Sequence, residues 1–280
     1  MDFWKEKTAI VTDASADIGA AIAEALMKHD VKVVGVAQTK AKLKELHDAG
    51  KWPNLYPFKC DVSKKQDIKK LFEWVEKKFG GADILVNNAR IASMTSIIEG
   101  STKTYHGVIE TNIFAPAIFA REFTNSVRQR NASGHIININ RCLLFKFSCV
   151  TMPLILAINL DLYELVSIEL EIRSKIPLGI YGVSKYGLNA LGTELRHELT
   201  LAKLKIKITN VSPGAVLMDM VRTVSDAIEY QIPLLQDKDI ADAVIYALGT
   251  PQTVEIKEVA IMPQGTPVGF TMDAFRNLKV

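Results

Sequence analysis

Two residues four positions apart carry the first chemical signal in this 280-residue chain: Tyr181 and Lys185, in the run Tyr181-Gly182-Val183-Ser184-Lys185. That spacing puts both on one face of a helix. An ammonium group beside a phenol favours the phenolate, so the pair could pass a proton to or from a carbonyl or alcohol oxygen. The alternative reading is a packed aromatic and a solvated surface lysine. The three cysteines, Cys60, Cys142 and Cys149, are irregularly spaced and carry no metal-ligand pattern, so no metal is expected.

The element that would organise such a site lies at the other end of the chain. In Lys7 to His29, a β-branched run at Thr8–Val11 passes through a short turn into apolar residues at helical spacing. A strand, tight turn and helix form the first unit of a dinucleotide-binding fold, with the turn as phosphate cradle. Further strands are predicted at Val31–Val36, Leu55–Cys60, Ile84–Val86, Ile136–Ile139, Ile206–Val211 and Glu258–Met262. Helices are predicted at Ala41–Ala49, Gln66–Phe79, Thr102–Arg128, Tyr181–Leu201 and Ile240–Leu248, the first closed by Gly50 and the second by Gly80-Gly81. Strands alternating with helices imply an α/β, doubly wound Rossmann-type domain, its mainly parallel sheet of about seven strands covered on both faces. With no linker or repeat, residues 1–280 read as one domain.

Composition bounds the partners. Hydrophobic residues at 48% and charged residues at 23% are ordinary for a folded soluble chain. A net charge of +3 without a dense basic run gives no nucleic-acid footprint. The start, MDFWKEK, leads straight into the first strand and leaves no room for a signal peptide, and the irregular cysteines suit a reducing compartment, so a cytoplasmic location is expected.

With these motifs in order, the chain resembles the short-chain dehydrogenase/reductase family over nearly its whole length. Thr12 to Gly19 is similar to the family's TGxxxGxG turn, Asp61-Val62 to its adenine-contacting Asp-Val, and Asn87-Asn88-Ala89 to its NNAG. Tyr181 to Lys185 matches YxxxK, Ser212-Pro213-Gly214 matches SPG, and Asn112 stands where the family has a catalytic asparagine. The wording around the motifs is most similar to the insect farnesol-dehydrogenase and hydroxysteroid-reductase branch. The resemblance implies catalytic roles for Asn112, Tyr181 and Lys185, with Lys185 also on the nicotinamide ribose. It implies cofactor contacts from Thr12, Ser15, Ile18, Gly19, Gln38, Thr39, Asp61, Val62, Asn87, Ala89, Pro213 and Gly214. The implied substrate is a small apolar carbonyl compound or a secondary or prenyl alcohol. The implied assembly is a homodimer or homotetramer, built on the helices of Asn112 and Tyr181 through patches at Ile113-Phe114 and Leu188–Leu191. Ala37-Gln38-Thr39-Lys40 lacks the acid that would select NAD(H), which favours NADP(H).

The departures set a second hypothesis beside the oxidoreductase. Asp13 and Asp17 replace two turn glycines, Arg90 replaces the glycine of NNAG, and Met218 stands where a small hydroxyl residue is usual. Asp17 is expected to cap an empty helix start and to pair with Arg90 or with backbone N–H groups. Arg141 occupies the place of the family's serine, and 40 positions separate it from Tyr181, roughly three times what relatives need. An apolar insertion is therefore predicted at about 142–166, expected to pack loosely on the core. It would be an added element or a translation artefact, with Ser167 as a candidate replacement serine. Polar Asn159, Asp161 and Glu164 rule it out as a membrane span. These changes leave open a non-catalytic relative kept for binding or oligomerisation.

Overall fold

The computed structural model describes residues 1–39, 41–48, 52–93, 95–141, 178–217 and 233–265. The predicted insertion, Ser167, Met218, Cys142 and Cys149 lie outside these.

The strands are β1 (Thr8–Thr12), β2 (Lys32–Ala37), β3 (Leu55–Lys59), β4 (Ile84–Asn87), β5 (Gly134–Ile139), β6 (Ile206–Pro213) and β7 (Glu258–Ile261). They form one seven-stranded sheet in the order β3-β2-β1-β4-β5-β6-β7, every neighbouring pair parallel. The order reverses between β1 and β4, so the crevice beyond the carboxyl ends of these two strands is the topological switch point. Successive strand residues face opposite layers. Ala9, Val11 and Val33 pack with Ile22, Leu26, Ile240 and Val244, whereas Ile10, Val34 and Val36 pack with Leu71, Val75, Phe119 and Phe123.

The helices are α1 (Asp17–Met27), α2 (Ala41–Asp48), α3 (Lys65–Phe79), α4 (Thr102–Ile109), α5 (Ala115–Gln129), α6 (Gly179–Leu201) and α7 (Asp237–Gly249). In α3, Ile68, Leu71 and Val75 recur at helical spacing on the buried face, and left-handed Gly80 stops it at φ 74°. Helix α7 starts earlier than its apolar stripe suggests, because Gln236 and Asp239 make a capping box ahead of Ile240. The long helix predicted from Thr102 to Arg128 is interrupted at Glu110–Phe114 by a π-helical turn. One wide turn costs regular hydrogen bonding and re-aims the side chains within it, and such turns recur at functional sites. Asn112 sits in this one.

Candidate active site

The site is built where β1, β4 and β5 end. Thr12 closes β1, and its hydroxyl ties the turn to the neighbouring strand. Thr12 Oγ1 accepts from the N–H groups of Asn88 and Ala89, both at 2.9 Å, and donates to Val86 O at 3.2 Å. Asn88 Nδ2 returns the contact, donating to Thr12 O at 3.1 Å and Asp13 O at 3.3 Å. Gly19 lies against this knot: a Cβ there would stand 2.1 Å from Asp13 O. The two aspartates keep the backbone shape of glycines, with φ 55° at Asp13 and 44° at Asp17.

Asp17 is not the helix cap. Ala16, in extended conformation, holds that position, and Asp17 is the first helical residue. Within the pocket Arg90 also meets Asp13, its Nη1 4.0 Å from Asp13 Oδ2. Burial raises the pKa of the Asp13 carboxyl, Arg90 pulls it back, and Asp17 adds to the rise. Ser15 is half-buried and Ile18 buried along the same turn. Gln38 and Thr39 are exposed at the end of β2. Asp61 is held in a local turn, its Oδ1 accepting from Ser63 N at 3.1 Å and Ser63 Oγ at 2.6 Å, which lowers its pKa. Val62, Asn87 and Pro213 are buried, and Gly214 N donates to Ile261 O at 2.8 Å.

The three residues of the proton-transfer hypothesis come together although they lie up to 73 positions apart in sequence. Tyr181 is 4% and Lys185 3% exposed, which removes the solvated-lysine alternative. Lys185 Nζ lies 5.8 Å from the centroid of the Tyr181 ring and donates to Ile139 O, the last residue of β5, at 3.1 Å. Burial, aided by the charges of Arg90 and Arg141, pushes the Lys185 ammonium down to about 7. Asn112 is gripped on both sides. Its Oδ1 accepts from Ile91 N at 2.9 Å, while Nδ2 donates to Ile91 O at 3.0 Å and to Ser184 Oγ at 2.9 Å. Ser184 Oγ in turn donates to Tyr181 O at 2.7 Å.

Ser184 is the link that the sequence reading did not single out, although it stands next to Lys185 within the motif. Arg141 lies two residues past the end of β5, at the place expected for serine. Cys60 is no nucleophile: burial and the charges of Asp67 and Asp61 push its thiol up to about 12. Among the described residues no group of three or more His, Cys, Asp or Glu gathers to hold a metal.

A dinucleotide fits this crevice in shape. The turn backbone keeps left-handed geometry at Asp13 and Asp17, and the buried Asn88 Oδ1 and Asn140 Oδ1, at the ends of β4 and β5, have no partner among the described residues. Donors on a hydroxyl- or amide-bearing ligand suit such acceptors. The charge fits less well, because two carboxylates stand where a diphosphate would lie.

Fold and Tyr–Lys pair together define a class, the dehydrogenases built on a parallel nucleotide-binding sheet. Within it, the chain belongs to the short-chain dehydrogenase/reductase family. The family model described as short chain dehydrogenase matches residues 7–142. The farnesol dehydrogenase of Aedes aegypti is 35% identical over 246 residues, 86% of this chain and 89% of that protein. Human dehydrogenase/reductase SDR family member 11 is 34% identical over 77% of this chain and 75% of its own length. Among solved structures, a metagenomic short-chain oxidoreductase in complex with NADP has a TM-score of 0.70 at 25% identity, covering 93% of this chain and 98% of that one. The closed form of serine dehydrogenase complexed with NADP+ shares the fold, with a TM-score of 0.75 at 22% identity over 98% of both chains.

Proposed function

We propose that the protein is an oxidoreductase exchanging hydride between NADP(H) and a carbonyl compound or a secondary or prenyl alcohol, with weak hold on the dinucleotide. The observation that carries this reading is the burial of Tyr181 and Lys185 side by side at the end of β5, with Asn112 tied to the same helix. NADP(H), when bound, supplies the hydride chemistry. Thr12, Ser15, Ile18 and Gly19 would line its phosphates, Gln38 and Thr39 its adenosine ribose, Asp61 and Val62 its adenine, and Asn87, Ala89, Pro213, Gly214 and Lys185 the nicotinamide end. The rest is done by this chain. The Tyr181 hydroxyl gives a proton to the carbonyl oxygen in reduction and receives one in oxidation. Lys185, fixed by its bond to Ile139 O, is held beside the Tyr181 ring. Asn112 and Ser184 keep that stretch of α6 fastened to the segment after β4.

A specific observation favours a second reading. Asp13 and Arg90 neutralise each other inside the phosphate end, which suits a non-catalytic relative kept for binding or oligomerisation. The test is NADPH oxidation with prenyl aldehydes and ketones, NADPH being held at millimolar concentration to offset weak binding. Turnover that disappears in Tyr181→Phe supports the oxidoreductase. A rate no higher than that of Tyr181→Phe supports the second reading.

A further inference from the structure

A chain of side-chain amides runs across three neighbouring strands into α6. Asn87, Asn138 and Asn210 are register partners on β4, β5 and β6, and all three are buried. Asn87 Nδ2 donates to Asn138 Oδ1 at 2.9 Å, and Asn138 Nδ2 to Asn210 Oδ1 at 3.0 Å. Asn210 Nδ2 then donates to Asn189 Oδ1, on α6, at 2.6 Å. Every amide donates in the same direction, so each bond polarises the next. The helix approaches closely where the chain of amides arrives, because Gly192 faces it. A Cβ at Gly192 would stand 2.8 Å from Asn210 Oδ1 and 3.4 Å from Asn138 Nδ2.

Asn189 lies one helical turn beyond Lys185 and two beyond Tyr181. Apolar packing sets the distance between a helix and a sheet but tolerates sliding along the interface. Buried amides do not, since a small slip leaves donor and acceptor unpaired away from water. We propose that this amide ladder sets the position of α6 on the sheet, so that Asn138, Asn210 and Asn189 are positioning residues for Tyr181 and Lys185. The functional weight of the proposal rests on the role given to that pair above.

The experiment follows the Lys185 amine itself, by NMR of protein carrying ε-carbon-labelled lysine, with Lys185→Met assigning the signal. The unmodified protein should titrate at about 7. In Asn210→Ala and Asn189→Ala the midpoint should rise by about one unit or more, a tenfold change in protonation, as α6 loosens and water reaches Nζ. Leu71→Ala, a cavity beneath α3 away from the ladder, should lower stability while leaving the midpoint in place. Asn189→Ala cuts only the last bond at a half-buried position, so it carries the test if Asn210→Ala does not fold. An unmoved midpoint in Asn189→Ala, or an equal shift in Leu71→Ala, overturns the proposal. No cofactor or turnover enters the measurement, so failure of the oxidoreductase reading leaves it intact.

Discussion

Lys185 Nζ donates to the main-chain oxygen of Ile139 at 3.1 Å, which fixes a buried amine to the end of β5. The contact joins the helix bearing Tyr181 to the strand that precedes Arg141. It also places a titratable group where water is scarce, with consequences for stability.

Lys185 titrates at about 7 in the fold against an ordinary value near 10.5. Between these values the unfolded chain binds the extra proton, so stability rises with pH across this window at about 1.4 kcal/mol per unit from this group. His135 behaves similarly lower down: burial, with the Lys207 charge, pushes its imidazole down to about 3 from 6.5. Its contribution is complete above pH 6.5 and is lost as pH falls toward 3. Urea unfolding at several pH values should show Lys185→Met flattening the rise above pH 7 and raising stability at pH 7, with the loss below pH 6.5 unchanged.

The phosphate end should bind NADPH poorly. A carboxylate about 4 Å from a phosphate costs on the order of 4 kcal/mol at an effective dielectric near 20, and ligand entry must also break the Asp13–Arg90 pair. Calorimetry is expected to find no binding at micromolar concentrations. Changing Asp13, Asp17 and Arg90 together to Gly should improve affinity by about a hundredfold or more. Stability should change little in that variant, since glycine relieves about 1–2 kcal/mol of left-handed strain at each aspartate and returns much of it as chain entropy. Micromolar binding by the unmodified protein would mean that the aspartates are tolerated.

Thr12 should matter out of proportion to its size. Replacing it by Val keeps the shape but leaves the Asn88 and Ala89 N–H groups without their acceptor, at a cost of about 2–4 kcal/mol. Denaturant unfolding measures this directly, and a loss below about 1 kcal/mol would mean that the turn finds another acceptor.

An apolar surface remains for assembly, narrower than the sequence suggests. Leu188 is buried within its own chain, and Ile113 packs so near α6 that a Cβ at Gly187 would stand 2.7 Å from its Cδ1. Phe114 and Val183 are about half exposed. Light scattering at micromolar concentration should show a dimer or tetramer, and Phe114→Glu should shift it toward the monomer mass. A monomer before substitution would remove this surface as an interface.

The alternation of apolar strands with helices of 3.6-residue period was legible because burial on a sheet or a helix face imposes its period on neighbouring residues. Hence the strands, the α3 stop at Gly80, and the places of Asn112, Tyr181 and Lys185 on their elements could all be read from the chain. Local pattern holds no record of contacts between distant segments. That Lys185 is buried on Ile139, that a π turn aims Asn112 at Ser184, and that Arg90 meets Asp13, 77 residues earlier, depended on how the elements pack. The amide ladder shows the difference most plainly. Each asparagine is visible in the sequence, but the bonds exist only because parallel pairing puts Asn87, Asn138 and Asn210 in one register and Gly192 lets α6 come down onto it.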